Sequence, residues 1–197
     1  MKIVILGSGK GSNAEAIIKA SIEGQLENTE IMGVFSDEID SQILKRAKEF
    51  NIQSSFLDPG NTTSKLSKPM EEIWIDEIKK VEPDLIVLAG FMRILSKNFL
   101  EAFNSKVINL HPSLLPSFPG LNSIEKAFTK KVKITGCTVH WVNQNVDEGE
   151  IIAQAPVRIM NGDTLELVEQ KVHAAEHMIL PWVIRDLANG NIPFIND

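Results

Sequence analysis

The chain has 197 residues, of which 43% are hydrophobic and 23% are charged, and its formal net charge is −6 at pH 7. That length and apolar content suit one domain with a full-sized core, and the negative charge argues against a general nucleic-acid binder. The one cysteine, Cys137, excludes an internal disulfide and is typical of a reducing compartment. Met1 leads directly into the apolar run 3–6, without a signal-peptide pattern or a membrane-length segment. We therefore predict one cytoplasmic domain over 1–197, with no nucleic-acid or membrane partner.

Short apolar runs alternate with amphipathic segments up to residue 110, and this pattern predicts alternating strands and helices. The predicted strands are 3–6, 31–35, 53–56, 85–89 and 107–110, and the predicted helices are 13–25, 41–50, one around 73–78, and 96–103. Such alternation predicts an α/β fold with a doubly wound, mostly parallel sheet of Rossmann-like type.

The pattern changes in the last third of the chain. After a predicted helix at 123–129, the longer apolar runs 135–142 and 150–157 are interpreted as strands of an antiparallel C-terminal edge. A closing helix is predicted over 164–187, with Asp163 as its N-cap.

A glycine-rich loop, Gly7-Ser8-Gly9-Lys10-Gly11-Ser12-Asn13, lies between the first predicted strand and helix. It lacks the third glycine of the dinucleotide fingerprint and the lysine position of the P-loop. Glycines allow close backbone approach, and a helix N-terminus offers N–H groups to an anion. We therefore predict a generic phosphate site with Ser12 and Asn13 as extra donors, while an ordinary tight turn remains the alternative.

Asn109 and His111 stand at the end of the predicted strand 107–110, before a loop stiffened by Pro112, Pro116 and Pro119. Residues two apart in an extended segment point to the same side, so the amide and the imidazole can face one reacting atom. The alternative is that the two side chains merely cap the strand end.

Ligands of doubly wound sheets bind beyond the carboxyl ends of the strands, which places 7–13, 90–93 and 109–111 along one rim. Met92, Ile94 and Leu95 could line an apolar slot there, with ordinary core and a surface arginine as the alternative. A turn carboxylate such as Asp147 is usually only solvated. It is of functional interest only if the fold brings it to His111, whose ring it could orient.

His173-Ala174-Ala175-Glu176-His177 matches the H-x-x-E-H signature of one class of zinc peptidases. A zinc site needs a third ligand on a later element, and the downstream tail offers only Asp186 and Asp197. We therefore interpret the match as coincidental, on a packed helix, and predict no metal.

Several motifs recur together and in a fixed order along nearly the whole chain. They are Ser8–Asn13, Leu88–Leu95, Asn109–Pro116, Pro119-Gly120, Thr138–His140, Asp147–Gly149 and Glu176-His177. In this order they resemble the phosphoribosylglycinamide formyltransferase family, the folate-dependent formyltransferases of purine synthesis. The resemblance implies a half for phosphate and ribonucleotide, 1–105, and a catalytic and folate-binding half, 106–197.

The resemblance also implies roles for individual residues. Those implied for the ribonucleotide phosphate are Gly11, Ser12 and Asn13, and Glu176 is implied for its ribose hydroxyls. Those implied for the folate pocket are Met92, Arg93, Ile94, Leu95 and Asn109, with Val142–Asp147 as the other wall. The implied catalytic trio is Asn109, His111 and Asp147, with Asp147 keeping His111 cationic.

The implied reaction moves the formyl group of 10-formyltetrahydrofolate to the glycine amine of glycinamide ribonucleotide, in a monomer or weak homodimer and without metal. One departure concerns 61–70, where the family often presents an arginine to the folate tail but this chain has only Lys65 and Lys68. There are two enzymatic alternatives. One is a formyltetrahydrofolate deformylase, which is expected to carry a further N-terminal domain, and the other is a methionyl-tRNA formyltransferase, which is expected to carry a further C-terminal domain. A non-catalytic nucleotide-binding regulator is the third.

Overall fold

A computed structural model describes residues 1–195, which form seven strands and six helices. The strands are β1 (Lys2–Leu6), β2 (Glu30–Ser36), β3 (Ser54–Phe56), β4 (Leu85–Leu88), β5 (Val107–His111), β6 (Ile134–Trp141) and β7 (Ile151–Arg158). The helices are α1 (Ser12–Ile22), α2 (Gln42–Glu49), α3 (Lys68–Lys79), α4 (Lys97–Ala102), α5 (Ser123–Thr129) and α6 (Leu165–Ala188). Within residues 1–195, no helix is both long enough and apolar enough to cross a membrane.

All seven strands belong to one sheet, in the order β3-β2-β1-β4-β5-β6-β7. The strands from β3 to β5 run parallel, whereas β6 pairs antiparallel with both β5 and β7. The predicted doubly wound, mostly parallel sheet with an antiparallel C-terminal edge is therefore confirmed.

Both faces of the sheet are covered because successive strand residues alternate between them. On β1, Ile3 and Ile5 join an apolar cluster with α1, α2 and α6, while Val4 and Leu6 join a second cluster with α3 and α4. Ile108 and Leu110 of β5 belong to the first cluster. The remaining residues of β5 therefore face the α3 and α4 side, and these include the predicted catalytic positions.

Helix ends depart slightly from the sequence-based expectations. The prediction of Asp163 as the N-cap of α6 is wrong, because the side chain of Thr164 accepts the hydrogen bond from the backbone N–H of Leu167. Asp163 instead accepts from the backbone N–H of Met160 and pairs with Lys171. Helix α1 ends at Ile22 rather than 25, where the chain turns.

Candidate active site

The pairing of β5 with β6 brings Asn109 beside a histidine that the sequence analysis did not assign. Asn109 and His140 are directly opposite each other in the antiparallel register. Opposed residues project to the same face with neighbouring Cβ atoms. The Nδ2 atom of Asn109 lies 3.2 Å from Nε2 of His140.

His111 is buried at the end of β5, and its partners surround both ring nitrogens. Nε2 lies 3.0 Å from the carbonyl oxygen of Phe118 and 3.1 Å from Oγ of Ser123, whose hydroxyl donates to the carbonyl of Gly120. Nδ1 lies 3.3 Å from Oδ2 of Asp147. All three partners accept hydrogen bonds, so the doubly protonated imidazolium satisfies the whole set.

Asp147 does reach His111, so the contact that a functional role of this turn carboxylate requires is present. Its side chain is only 8% exposed, and its Oδ2 also accepts a 2.7 Å hydrogen bond from the backbone N–H of Gly120. The residue has φ +58°, a left-handed conformation that few residues other than glycine adopt and that is often retained at functional sites. The turn thus aims a buried carboxylate at the imidazole.

The two histidines of the site have different electrostatic surroundings. Burial lowers the pKa of His140 below its ordinary value, an effect that its hydrogen bond to the Trp141 carbonyl and the charge of Asp147 partly offset. Its Nε2 is 3.8 Å from Oδ1 of Asp147, too far for a hydrogen bond. His140 is therefore neutral at pH 7, and the carboxylate of Asp147 is left to His111.

The glycine loop forms the N-terminus of α1, as predicted. Gly11 is the N-cap with φ +74°, and a Cβ there would lie 2.6 Å from the backbone of Ile43, so only glycine fits. Among residues 1–195, no side chain caps this helix end. Its first-turn N–H groups can therefore bind an anion beside Ser12 and Asn13.

Residue Glu176 of α6 joins this loop although it is 163 residues away from Asn13. The Nδ2 atom of Asn13 lies 3.2 Å from Oε2 of Glu176, and Nδ1 of His173 lies 2.8 Å from the same oxygen. Glu176 is buried, whereas the side chain of His173 is 49% exposed. The predicted ribonucleotide residues are thus brought together, with His173 as an unexpected addition.

The segment after β4 lies between the glycine loop and the apolar cluster. The backbone N–H of Met92 donates a 2.9 Å hydrogen bond to Oγ of Ser8. Leu95 is buried in the cluster that also contains Val142, while Met92 and Ile94 remain exposed. The two predicted walls of the folate pocket therefore pack on the same apolar cluster.

Arg93 does not project into this space as a free cation. Its Nε donates a 2.6 Å hydrogen bond to Oδ2 of Asp37, and its Nη1 donates to the carbonyl of Thr62. Both charged side chains are largely buried, so the alternative of a surface arginine is wrong. Lys65 and Lys68 are exposed, which leaves them, rather than Arg93, as the cations near the 61–70 segment.

The H-x-x-E-H residues do not form a zinc-peptidase site. His173 and Glu176 bind each other, and within residues 1–195 no group of three or more His, Cys, Asp or Glu side chains is placed to hold a metal ion. Asp197, one of the two downstream carboxylates considered, lies outside the described residues.

Sequence reasoning missed His140, His173 and the loop groups of Phe118, Gly120 and Ser123 around His111. Thr138-Val139-His140 was part of the family motif, but no role followed from it. The signal that identifies His140 is the β5–β6 register, since a cross-strand partner of Asn109 on the same face must contact it.

Comparison with known proteins defines the class of this fold and site. A family model described as formyl transferase matches residues 1–184. The chain belongs to the formyl transferase family.

More specific similarity is to enzymes that formylate a purine precursor. The chain is 38% identical over 190 residues to phosphoribosylglycinamide formyltransferase of Bacillus subtilis, covering 96% of each sequence. It is also 38% identical to the Escherichia coli enzyme of that name, covering 98% of this chain and 89% of the relative. The crystal structure of glycinamide ribonucleotide transformylase 1 from Symbiobacterium toebii superposes with a TM-score of 0.92 at 36% identity, covering 100% of this chain and 91% of that one.

Proposed function

We propose that this chain transfers the formyl group of 10-formyltetrahydrofolate to the glycine amine of glycinamide ribonucleotide, a step of de novo purine synthesis. The observation that carries the proposal is the set of buried His111, the buried carboxylate of Asp147 and half-buried Asn109 at the same sheet rim as the N-terminus of α1. Such a set suits a reaction in which negative charge develops on an oxygen beside a bound phosphate ester.

The transfer begins when the uncharged amine attacks the formyl carbon, forming a C–N bond and moving the carbonyl electron pair onto oxygen. Asn109 donates to this oxyanion through Nδ2. His111 donates through Nδ1, because its Nε2 proton is bound by the Phe118 carbonyl and its 3.3 Å contact with Asp147 is longer than a full charge-assisted hydrogen bond. Each such donor accelerates the step by about 100-fold to 1,000-fold.

Collapse of the intermediate breaks the bond between the formyl carbon and N10 of the folate. The attacking amine loses one proton and N10 gains one, so the reaction needs no external oxidant or reductant. Asp147 relays the amine proton to N10 through a water molecule, and while it is ionised its negative charge stabilises the cationic His111. The products are the formylated ribonucleotide and tetrahydrofolate.

The two substrates are assigned to adjoining parts of the rim. The ribonucleotide phosphate binds the α1 N-terminus at Gly11, Ser12 and Asn13, and the ribose hydroxyls bind Glu176. The pterin ring lies between the 92–95 backbone and Val142, which offer the polar edge and apolar walls that a planar ring needs.

The test is absorbance detection of folate product from a 10-formyl folate, with and without glycinamide ribonucleotide. Turnover that requires the ribonucleotide is the expected result. Turnover without it would instead identify a deformylase, and nucleotide binding without any turnover would identify a regulator. We also propose that the enzyme works in the cytoplasm as a monomer or weak homodimer, with small-molecule substrates as its partners.

A further inference from the structure

His140 contacts the predicted catalytic residues, yet the proposed reaction gives it no proton to move. Its side chain is 3% exposed, with Nδ1 2.8 Å from the carbonyl oxygen of Trp141 and Nε2 3.2 Å from Nδ2 of Asn109. A buried histidine with both nitrogens engaged has a fixed ring orientation and a fixed set of donors and acceptors.

The hydrogen-bond partners determine which nitrogen carries the proton. The Trp141 carbonyl can only accept, so Nδ1 of His140 must be the N–H donor. In the neutral ring Nε2 then presents a lone pair, which accepts only from the amide nitrogen of Asn109. With the Asn109 amide turned around, two acceptors would face each other at 3.2 Å.

We propose that His140 is a positioning residue that fixes the orientation of the Asn109 side-chain amide, an inference that rests on the proposed function. Nδ2 of Asn109 gives one hydrogen to His140 and keeps the second for the oxyanion. Without this contact the amide can rotate, and its oxygen then repels the charge that it should stabilise.

The backbone around Trp141 holds the carbonyl that sets the His140 tautomer. The Trp141 N–H donates to the carbonyl of Glu150 at 2.9 Å. Gly149 lies against the same peptide, because a Cβ there would collide with the Trp141 carbonyl and come within 3.2 Å of His140 Nδ1. The turn that carries Asp147 therefore also supports the histidine that orients Asn109.

A double-mutant cycle tests the inference. His140→Leu removes the acceptor, whereas His140→Gln supplies an amide oxygen that can still accept from Asn109. We expect His140→Leu to lower kcat by about 10-fold to 100-fold, part of the contribution of one oxyanion donor, with the KM for the ribonucleotide unchanged. His140→Gln should keep most of the wild-type kcat. In an Asn109→Ala background, His140→Leu should cause no further loss, because the two residues act as one unit.

Equal losses in the Gln and Leu variants, or losses that multiply in the double variant, would overturn the assignment. ¹⁵N NMR of the labelled wild-type protein provides a test that does not depend on whether the variants fold. It should show His140 protonated at Nδ1 and unprotonated at Nε2 at pH 7, and a proton on Nε2 would contradict the inference. An inactive wild type would refute the proposed function itself, while the tautomer measurement would still report on the His140–Asn109 contact.

Discussion

Two histidine–carboxylate pairs in this molecule differ in how far solvent reaches them. In the His111–Asp147 pair the side chains are 7% and 8% exposed, and the nitrogen–oxygen distance is 3.3 Å. In the His173–Glu176 pair the distance is shorter, 2.8 Å, but the histidine is 49% exposed. The shorter contact is thus the one that water can compete with.

The difference lies in what else holds each ring. His111 has acceptors at both nitrogens, so its ring is held from two sides. His173 is held through Nδ1 to a buried carboxylate, and the rest of its ring is half in solvent. The buried pair therefore has a fixed geometry, whereas solvent or another hydroxyl-bearing group can replace His173 at Glu176 more easily.

The largest expected effect on turnover comes from removing the charge of Asp147 in the buried pair while keeping the shape of its side chain. Asp147→Asn keeps an acceptor for Gly120 but removes the negative charge beside His111. We expect kcat to fall by about 100-fold to 1,000-fold, as for loss of a general acid–base group, with little change in the KM for the ribonucleotide. Steady-state kinetics measure both constants. Glu148→Gln, an exposed neighbour in the same turn, is the matched control, and an unchanged kcat in Asp147→Asn would contradict the assignment.

A smaller effect is expected at the exposed pair, and on a different constant. Glu176→Gln removes the negative charge that contacts His173 and that we propose to bind the ribose hydroxyls. The KM for the ribonucleotide should therefore rise about tenfold, which is the effect of losing one charge-assisted hydrogen bond. The kcat should hold, since Glu176 touches no reacting atom in the proposed mechanism. Glu101→Gln, on the exposed surface of α4, serves as the control. A fall in kcat at constant KM would remove the distinction between the two pairs.

The smallest effect concerns stability and pH. The hydrogen bond with Glu176 raises the pKa of His173 above 6.5, although burial partly opposes it. Because the folded-state pKa exceeds the unfolded one, the pair stabilises the fold fully below pH 6.5 and loses this contribution as pH rises through the raised pKa. Urea unfolding at several pH values should therefore show a stability difference between wild type and His173→Gln that shrinks above pH 6.5.

His140 is expected to change stability with pH in the direction opposite to His173, and the same unfolding experiment measures it. Burial lowers its pKa below 6.5, so the unfolded chain binds protons more readily and stability is lost as pH falls through 6.5. His140→Gln should flatten this acid limb and leave the limb above pH 6.5 unchanged. If the two variants altered the same limb, the assignment of a neutral and a charged histidine would fail.

Much of the fold follows from local sequence pattern. The apolar runs at 3–6, 85–89 and 107–110 predicted buried parallel strands, because such runs suit strands covered on both faces. Since those strands are parallel neighbours, the loops that follow them meet at one rim, and this places the glycine loop on the same side of the sheet as Asn109 and His111.

The family motifs in their order also indicated Asp147 and Glu176, but not the contacts that each makes. The local sequence pattern indicates burial and periodicity, so it does not identify the partner of a given side chain. The pairing of Arg93 with Asp37 joins two segments that are distant in the sequence, so no local spacing predicts it. The His173–Glu176 pair, in contrast, has i,i+3 spacing on α6, a spacing at which helix geometry makes side chains neighbours.

The sequence by itself thus determined the strand–helix order and the glycine-rich loop at the N-terminus of α1, and it supplied the residue types on which the proposed acyl chemistry depends. Only the tertiary structure decided that Asp147 lies at His111 and that His140 lies opposite Asn109. The physical reason for the second contact is the register of β6 against β5. A one-residue shift of β6 against β5 would turn His140 to the other face of the sheet, and that register is set by the packing of both faces.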